Sequence, residues 1–327
     1  MAIDKEMRGN SRAFLLNNSR AFLLKKEAFM LKGSCAALVT PFLPNGEIDF
    51  ECYGRIIDFH VKNGTAGIVV LGTTGEAPAI KEDEREALIS FAVRHAAGRL
   101  PVVVGCSGGD TEHAKERCVD AERLGADAAL LLTPYYNKAN SRGMVAHFRV
   151  CAESVNLPII MYNVPGRTGC TLTLAEIAEL KKCPNIAGIK EASGNMGFFA
   201  RVCALADENF AVYCGSDEMN VPALAAGASG LISVLANIFP RECADMCAYM
   251  EKGEVAAARV LQHRYSSLIA ALFSEPNPIP VKTAMNELCI DGVGTVGGLR
   301  LPLCEMGEGN KRALLKALAE CRMKNTE

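Results

Sequence analysis

Between Cys35 and Ser233, short apolar runs rich in β-branched residues alternate with longer amphipathic stretches, and this alternation constrains the fold more than any other feature of the 327-residue chain. A run of four or five apolar residues with no polar alternation reads as a strand covered on both faces, and the amphipathic stretch after it reads as the covering helix. Strands are expected at Cys35 to Val39, Gly67 to Leu71, Val102 to Gly105, Ala128 to Leu132, Pro158 to Tyr162, Ile186 to Lys190, Phe210 to Cys214 and Gly230 to Ser233. Helical stretches such as Glu82 to Ala97, Thr111 to Leu124 and Arg142 to Val155 lie between them, several introduced by Asp, Ser or Thr. Eight strand-helix units fit one (β/α)8 TIM barrel of the α/β class, whose usual size is roughly 250 residues. An open doubly wound sheet fits less well, because no G-x-G-x-x-G follows the first strand, which ends in Thr40-Pro41.

After about Arg241 the apolar pattern keeps only the helical period, broken by Pro276-Asn277-Pro278-Ile279-Pro280. The expected organisation is a barrel over residues 31–253 and a small C-terminal helical domain over 254–327. Asn286 to Leu301, with Gly292, Gly294, Gly297 and Gly298, is expected to be loop, and no strand and P-loop lysine frame it as a phosphate cradle. Residues 1–30 stand apart. Asn10 to Leu16, Asn-Ser-Arg-Ala-Phe-Leu-Leu, recurs at once as Asn18 to Leu24, a tandem octapeptide that reads as a duplication on an N-terminal appendage, with the native domain expected to begin at Met30. Asp4, Glu6 and Glu27 argue against an acid-poor organelle presequence.

Lys plus Arg number 35 against 37 acidic residues, a net charge of -2 that offers no footprint for nucleic acid or an anionic membrane. No apolar run has the length of a membrane span. A cytoplasmic protein acting on a small molecule is expected. The 14 cysteines are scattered singly, as at Cys106, Cys118, Cys151, Cys214 and Cys289, and read as reduced core residues rather than a disulfide framework. Cys243 and Cys247 can share a helix face, but no His or further Cys is near enough in sequence to complete a zinc site, so no metal is expected.

In such a barrel the site forms at the carboxyl ends of the strands. Reactive side chains concentrate there: Gly72-Thr73-Thr74-Gly75-Glu76, Pro134-Tyr135-Tyr136-Asn137, Tyr162-Asn163-Val164-Pro165-Gly166-Arg167 and Lys190-Glu191. Lys190 ends an apolar run and so points into the barrel or its mouth, where lost hydration disfavours the ammonium and leaves neutral amine to attack a ketone and form an imine. A lysine by itself would more often pair with a carboxylate or snorkel to solvent. Tyr162 and Tyr136 can pass protons through a hydroxyl such as Thr73, although either alone reads equally well as a core aromatic. The N–H groups of Thr73, Thr74 and Gly75 can wrap a small carboxylate, or the segment is only a turn. Arg167, after Pro165-Gly166, presents a planar fork to a second carboxylate, unless it is a solvated surface residue.

At these motifs, together with Glu-Pro-Asn-Pro-Ile-Pro-Val-Lys at 275–282, the chain resembles the dihydrodipicolinate synthase and N-acetylneuraminate lyase family from about Leu31 to Leu303. The resemblance implies that Lys190 is the Schiff-base lysine and Tyr162 the main proton donor and acceptor, with Thr73 and Tyr136 completing the relay and Tyr136 reaching into a neighbouring subunit. It implies that Thr74 holds the carboxylate of pyruvate and Arg167 that of aspartate semialdehyde, with Gly215 and Ile232 lining the pocket through backbone atoms. A homotetramer built as a dimer of dimers is expected, with no organic cofactor and no catalytic metal. The implied reaction joins pyruvate and aspartate semialdehyde on the diaminopimelate route to lysine; the alternative is a pyruvate-dependent aldolase for another acidic or sugar-acid substrate. A barrel retained only as a scaffold would be expected to have lost the lysine or relay residues, which are all present. Where lysine-inhibited members carry an acid, a histidine and an asparagine, this chain has His113, Arg85 or Glu82, and Gly109, although Tyr135 is kept, so weak or absent lysine feedback is expected.

Overall fold

In the computed structural model, which describes residues 30–323, each apolar run becomes a strand: β1 (Gly33–Ala37), β2 (Gly67–Val70), β3 (Val102–Gly105), β4 (Ala128–Leu132), β5 (Ile159–Asn163), β6 (Ile186–Glu191), β7 (Ala211–Cys214) and β8 (Gly230–Ser233). All pair in parallel with their sequence neighbours, and β1 closes on β8. The octapeptide repeat and the expected appendage up to residue 29 lie outside the described residues.

After each strand comes a covering helix: α1 (Phe50–Lys62), α2 (Glu82–Ala96), α3 (Thr111–Arg123), α4 (Ser141–Glu153), α5 (Leu174–Leu180), α6 (Met196–Cys203), α7 (Asn220–Ala225) and α8 (Pro240–Glu251). Short polar side chains start most of them. Asp49 accepts from the Cys52 N–H, Asp110 from those of Glu112 and His113, Asn140 from Gly143 and Asn195 from Phe198, while Thr173 and Glu176 cap each other reciprocally. Each such cap satisfies N–H groups that the first helical turn leaves without a partner.

Residues pointing outward from the strands join the helices in one apolar layer. The inward set, including Cys35, Val69, Val103, Leu130, Ile160, Tyr162, Tyr213 and Ile232, fills the barrel itself. Because side chains alternate across a strand, Tyr162 and Lys190 both project inward at the open end, and β5 and β6 set them side by side in register. The closure leaves no room for a side chain at Gly105, where a Cβ would sit 2.0 Å from the Leu71 carbonyl oxygen.

Most boundaries shift by a residue or two from the sequence reading, and two of the shifts have a clear cause. β1 lies two residues earlier than expected because Gly33 to Ala36 pair with β8, and beyond Ala37 the Asn237 side chain replaces the ladder, accepting from the Val39 N–H at 3.1 Å and donating to the Ala37 carbonyl at 2.8 Å. The barrel is followed by α9 (Val255–Leu272), α10 (Ile279–Leu288) and α11 (Glu308–Met323). The expected loop therefore starts late: Asn286 to Leu288 finish α10, and the Asn286 side chain ties the loop down at Gly297 and Val296. Pro280 stands in the first turn of α10, where its missing N–H costs no hydrogen bond.

The cysteines are free thiols and most are buried, but Cys289 is not the core residue expected of it; it is exposed and left-handed (φ 43°), ending α10. Among the described residues no cluster of three or more His, Cys, Asp or Glu side chains is arranged to hold a metal ion, and no helix is long and apolar enough to cross a membrane.

Candidate active site

A cavity of about 270 Å³ opens at the carboxyl ends of the strands, and its wall includes Thr73, Thr74, Tyr162, Arg167, Lys190 and Gly215. Lys190 is only 6% exposed, and its Nζ lies 4.4 Å from the centroid of the Tyr162 ring, over the π face that attracts a cation. Among the described residues no carboxylate forms an ion pair with it. The adjacent acid, Glu191, points to the other side of the strand, where its fully buried carboxylate accepts from Asn163 Nδ2 and the Ser193 N–H, both at 2.6 Å. Burial pushes the Glu191 carboxyl above the ordinary range, with those two donors opposing. Gly215 on the next strand end leaves the lysine its place: a Cβ there would lie 2.8 Å from Ala192 Cβ and 2.7 Å from Lys190 Cε, so a side chain would displace Lys190.

The segment 72–76 is a tight turn entered through Leu71 and left through Glu76, both left-handed at φ 55°. The sequence reading offers three N–H groups for a carboxylate; the turn consumes one, because the Gly75 N–H donates to the Gly72 carbonyl at 3.1 Å, and those of Thr73 and Thr74 stay outside its backbone hydrogen bonds. Thr74 is buried, and its hydroxyl accepts from Asn277 Nδ2 at 2.8 Å. Arg167 lies on a single helical turn, Pro165–Thr168, with its Nη2 3.5 Å from the Asn277 carbonyl oxygen.

Not every expected residue reaches this cavity. Ile232 is 1% exposed inside the barrel and does not line it; Val234, two residues on, does. Tyr136 also lies outside it, 96% exposed on left-handed backbone (φ 65°). Tyr135 approaches Gly109, whose Cβ position would be 4.0 Å from its hydroxyl. His113 pairs with Asp110 at 2.5 Å, and buried Arg85 donates to the Gly105 carbonyl at 3.1 Å and pairs with Glu82 at 3.3 Å.

The sequence reading misses the residues that hold the turn. Glu76 and Lys282 form an ion pair at 2.9 Å with side chains 0% and 1% exposed; Lys282 also donates to the Thr40 carbonyl at 2.9 Å, and Glu76 also accepts the Arg300 N–H at 3.0 Å. Burial pushes the Lys282 ammonium below its usual range, with the Glu76 charge opposing. Thr40 donates its hydroxyl to the Gly75 carbonyl at 2.8 Å. The signal was present: Asn277 and Lys282 both belong to the 275–282 motif, which carried resemblance but no assigned role.

A closed parallel barrel with a buried, unpaired lysine at a strand end, beside a tyrosine and a turn of hydroxyls and free N–H groups, defines a lyase of the imine-forming class. The model of the dihydrodipicolinate synthetase family matches residues 30–321, and the chain belongs to that family. It is 45% identical over 291 residues to the 4-hydroxy-tetrahydrodipicolinate synthase of Caldicellulosiruptor bescii, covering 89% of this chain and 97% of that protein. Among solved structures it is similar to the chloride-inhibited dihydrodipicolinate synthase of Acinetobacter baumannii in complex with pyruvate (38% identity, TM-score 0.86, 90% of this chain and 99% of that one). It is also similar to the enzyme of Cyanidioschyzon merolae with lysine bound (34% identity, TM-score 0.85, 90% and 99%).

Proposed function

We propose that this barrel condenses pyruvate, carried as an imine on Lys190, with L-aspartate 4-semialdehyde to give 4-hydroxy-tetrahydrodipicolinate, in the cytoplasm and on the diaminopimelate route to lysine. The observation that carries the reading is Lys190 itself: a side-chain nitrogen buried over a tyrosine ring without a carboxylate partner among the described residues. With no carboxylate partner holding its nitrogen, the Lys190 side chain is left to face the cavity, where it can add to a ketone. The amine adds to the pyruvate carbonyl carbon, and the carbinolamine takes a proton on its oxygen and leaves water and the imine. Loss of a methyl proton then makes the enamine, whose carbon attacks the aldehyde while the new alkoxide takes a proton. Finally the amino group of the semialdehyde adds to the imine carbon and expels the Lys190 amine, closing the ring.

Tyr162, in register beside Lys190, is the proton carrier within reach of these steps, with Thr73 on the same cavity wall. Thr74, oriented by Asn277, would hold the pyruvate carboxylate, Arg167 that of the semialdehyde, and Gly215 leaves Lys190 room to extend. Tyr136 would serve a neighbouring subunit in a dimer, paired again into a tetramer; a large aromatic side chain held almost fully exposed on left-handed backbone supports a contact role. The test is covalent. Borohydride added with pyruvate should fix a stable adduct on the peptide containing Lys190, and an adduct on another lysine, or none while condensation proceeds, would reject the assignment.

A further inference from the structure

We infer that Glu218 recognises the ammonium group of the acceptor substrate and so selects an amino-aldehyde over its counterpart without the amine; the inference rests on the reaction proposed above. Glu218 follows β7, Arg167 follows β5, and Lys190 ends β6 between them. All three line one cavity, in whose wall Glu218 is the one carboxylate. The other acids near these strand ends are already engaged. Asp217 is buried and accepts the N–H groups of Val234 and Leu235 at 2.9 Å, Glu191 is held by Asn163 and Ser193, and Glu76 is held by Lys282.

Glu218, by contrast, is exposed to the cavity mouth and makes no hydrogen bond or ion pair among the described residues, and Arg167 does not pair with it. The two opposite charges thus stand on either side of the lysine without neutralising each other. The proposed acceptor carries a carboxylate and an ammonium on one carbon, so a donor fork and an acceptor flanking the imine match both groups. An ammonium that loses its carboxylate partner forfeits a charge-assisted contact, an effect on the order of tenfold in affinity at a partly solvated site.

The experiment compares the full-length enzyme with Glu218→Gln and Glu218→Ala, measuring KM for L-aspartate semialdehyde and the inhibition constant of succinate semialdehyde, which lacks only the amine, both at saturating pyruvate. Both variants should raise KM by on the order of tenfold, leave the inhibition constant of succinate semialdehyde within about twofold, and trap pyruvate on Lys190 as before; Glu218→Asp should recover part of the loss. An unchanged KM, or a KM and an inhibition constant that rise together, overturns the inference while the reaction stands. No condensation of aspartate semialdehyde by the unsubstituted enzyme overturns the reaction and this inference with it.

Discussion

Lys282→Met replaces a buried ammonium by an apolar side chain of similar length, and its effect can be worked from the contacts. The Nζ is 2.9 Å from Glu76 Oε1, 2.9 Å from the Thr40 carbonyl oxygen and 4.3 Å from the Phe42 ring centroid. The substitution leaves the Glu76 carboxylate buried with the Arg300 N–H, at 3.0 Å, as its remaining donor among the described residues. Removing one partner of a buried pair costs about 3–5 kcal/mol, because the other charge stays desolvated. The double variant Glu76→Gln, Lys282→Met removes both charges and keeps an acceptor for Arg300, so it should recover roughly 2 kcal/mol of that loss. Urea unfolding of the unsubstituted protein, the single variant and the double variant measures both quantities. The segment 72–76 carries Thr73 and Thr74, so kcat/KM for pyruvate should fall in the single variant and partly return in the double. A single-variant loss below about 1 kcal/mol, or a double variant no more stable than the single, would refute the claim that this pair holds the turn.

Arg167→Ala should raise KM for aspartate semialdehyde strongly while changing pyruvate trapping little; equal effects on both would make Arg167 structural. Mixed Tyr136→Phe and Lys190→Ala proteins should regain some activity in heterodimers, and no recovery after verified subunit exchange would count against Tyr136 serving a neighbouring chain. Burial lowers the folded-state pKa of His60 from 6.5 to about 3. The unfolded chain therefore takes up this proton first, so the contribution is full above pH 6.5 and is lost as pH falls toward 3, amounting to roughly 5 kcal/mol. The urea midpoint should drop across that window in the unsubstituted protein and less in His60→Gln; equal slopes would refute it. L-Lysine at saturating pyruvate should inhibit weakly, with half-inhibition above about a millimolar, the affinity of a roughly 4 kcal/mol site, because His113 is engaged by Asp110 and Arg85 by Gly105; tighter inhibition would reveal a replacement ligand.

The barrel and the buried lysine at its mouth were legible in the sequence because both rest on local pattern. A strand buried on both faces must be apolar throughout, and a lysine ending such a run must lie at the barrel mouth. The strand ends carrying Thr73, Tyr162, Arg167 and Lys190 follow from that count alone, and they meet in one cavity. What the local pattern misjudged was the use of individual polar groups: the turn at Gly75 consumed an N–H offered to the substrate. Only the tertiary structure decided the supports. Asn277 reaches Thr74 across 203 residues and Lys282 reaches Glu76 across 206, while Asn237 ends the β1 ladder from 200 residues away. A buried charge or amide has no periodicity to announce its partner, and these partners become neighbours only when the barrel closes and the C-terminal helices pack against it.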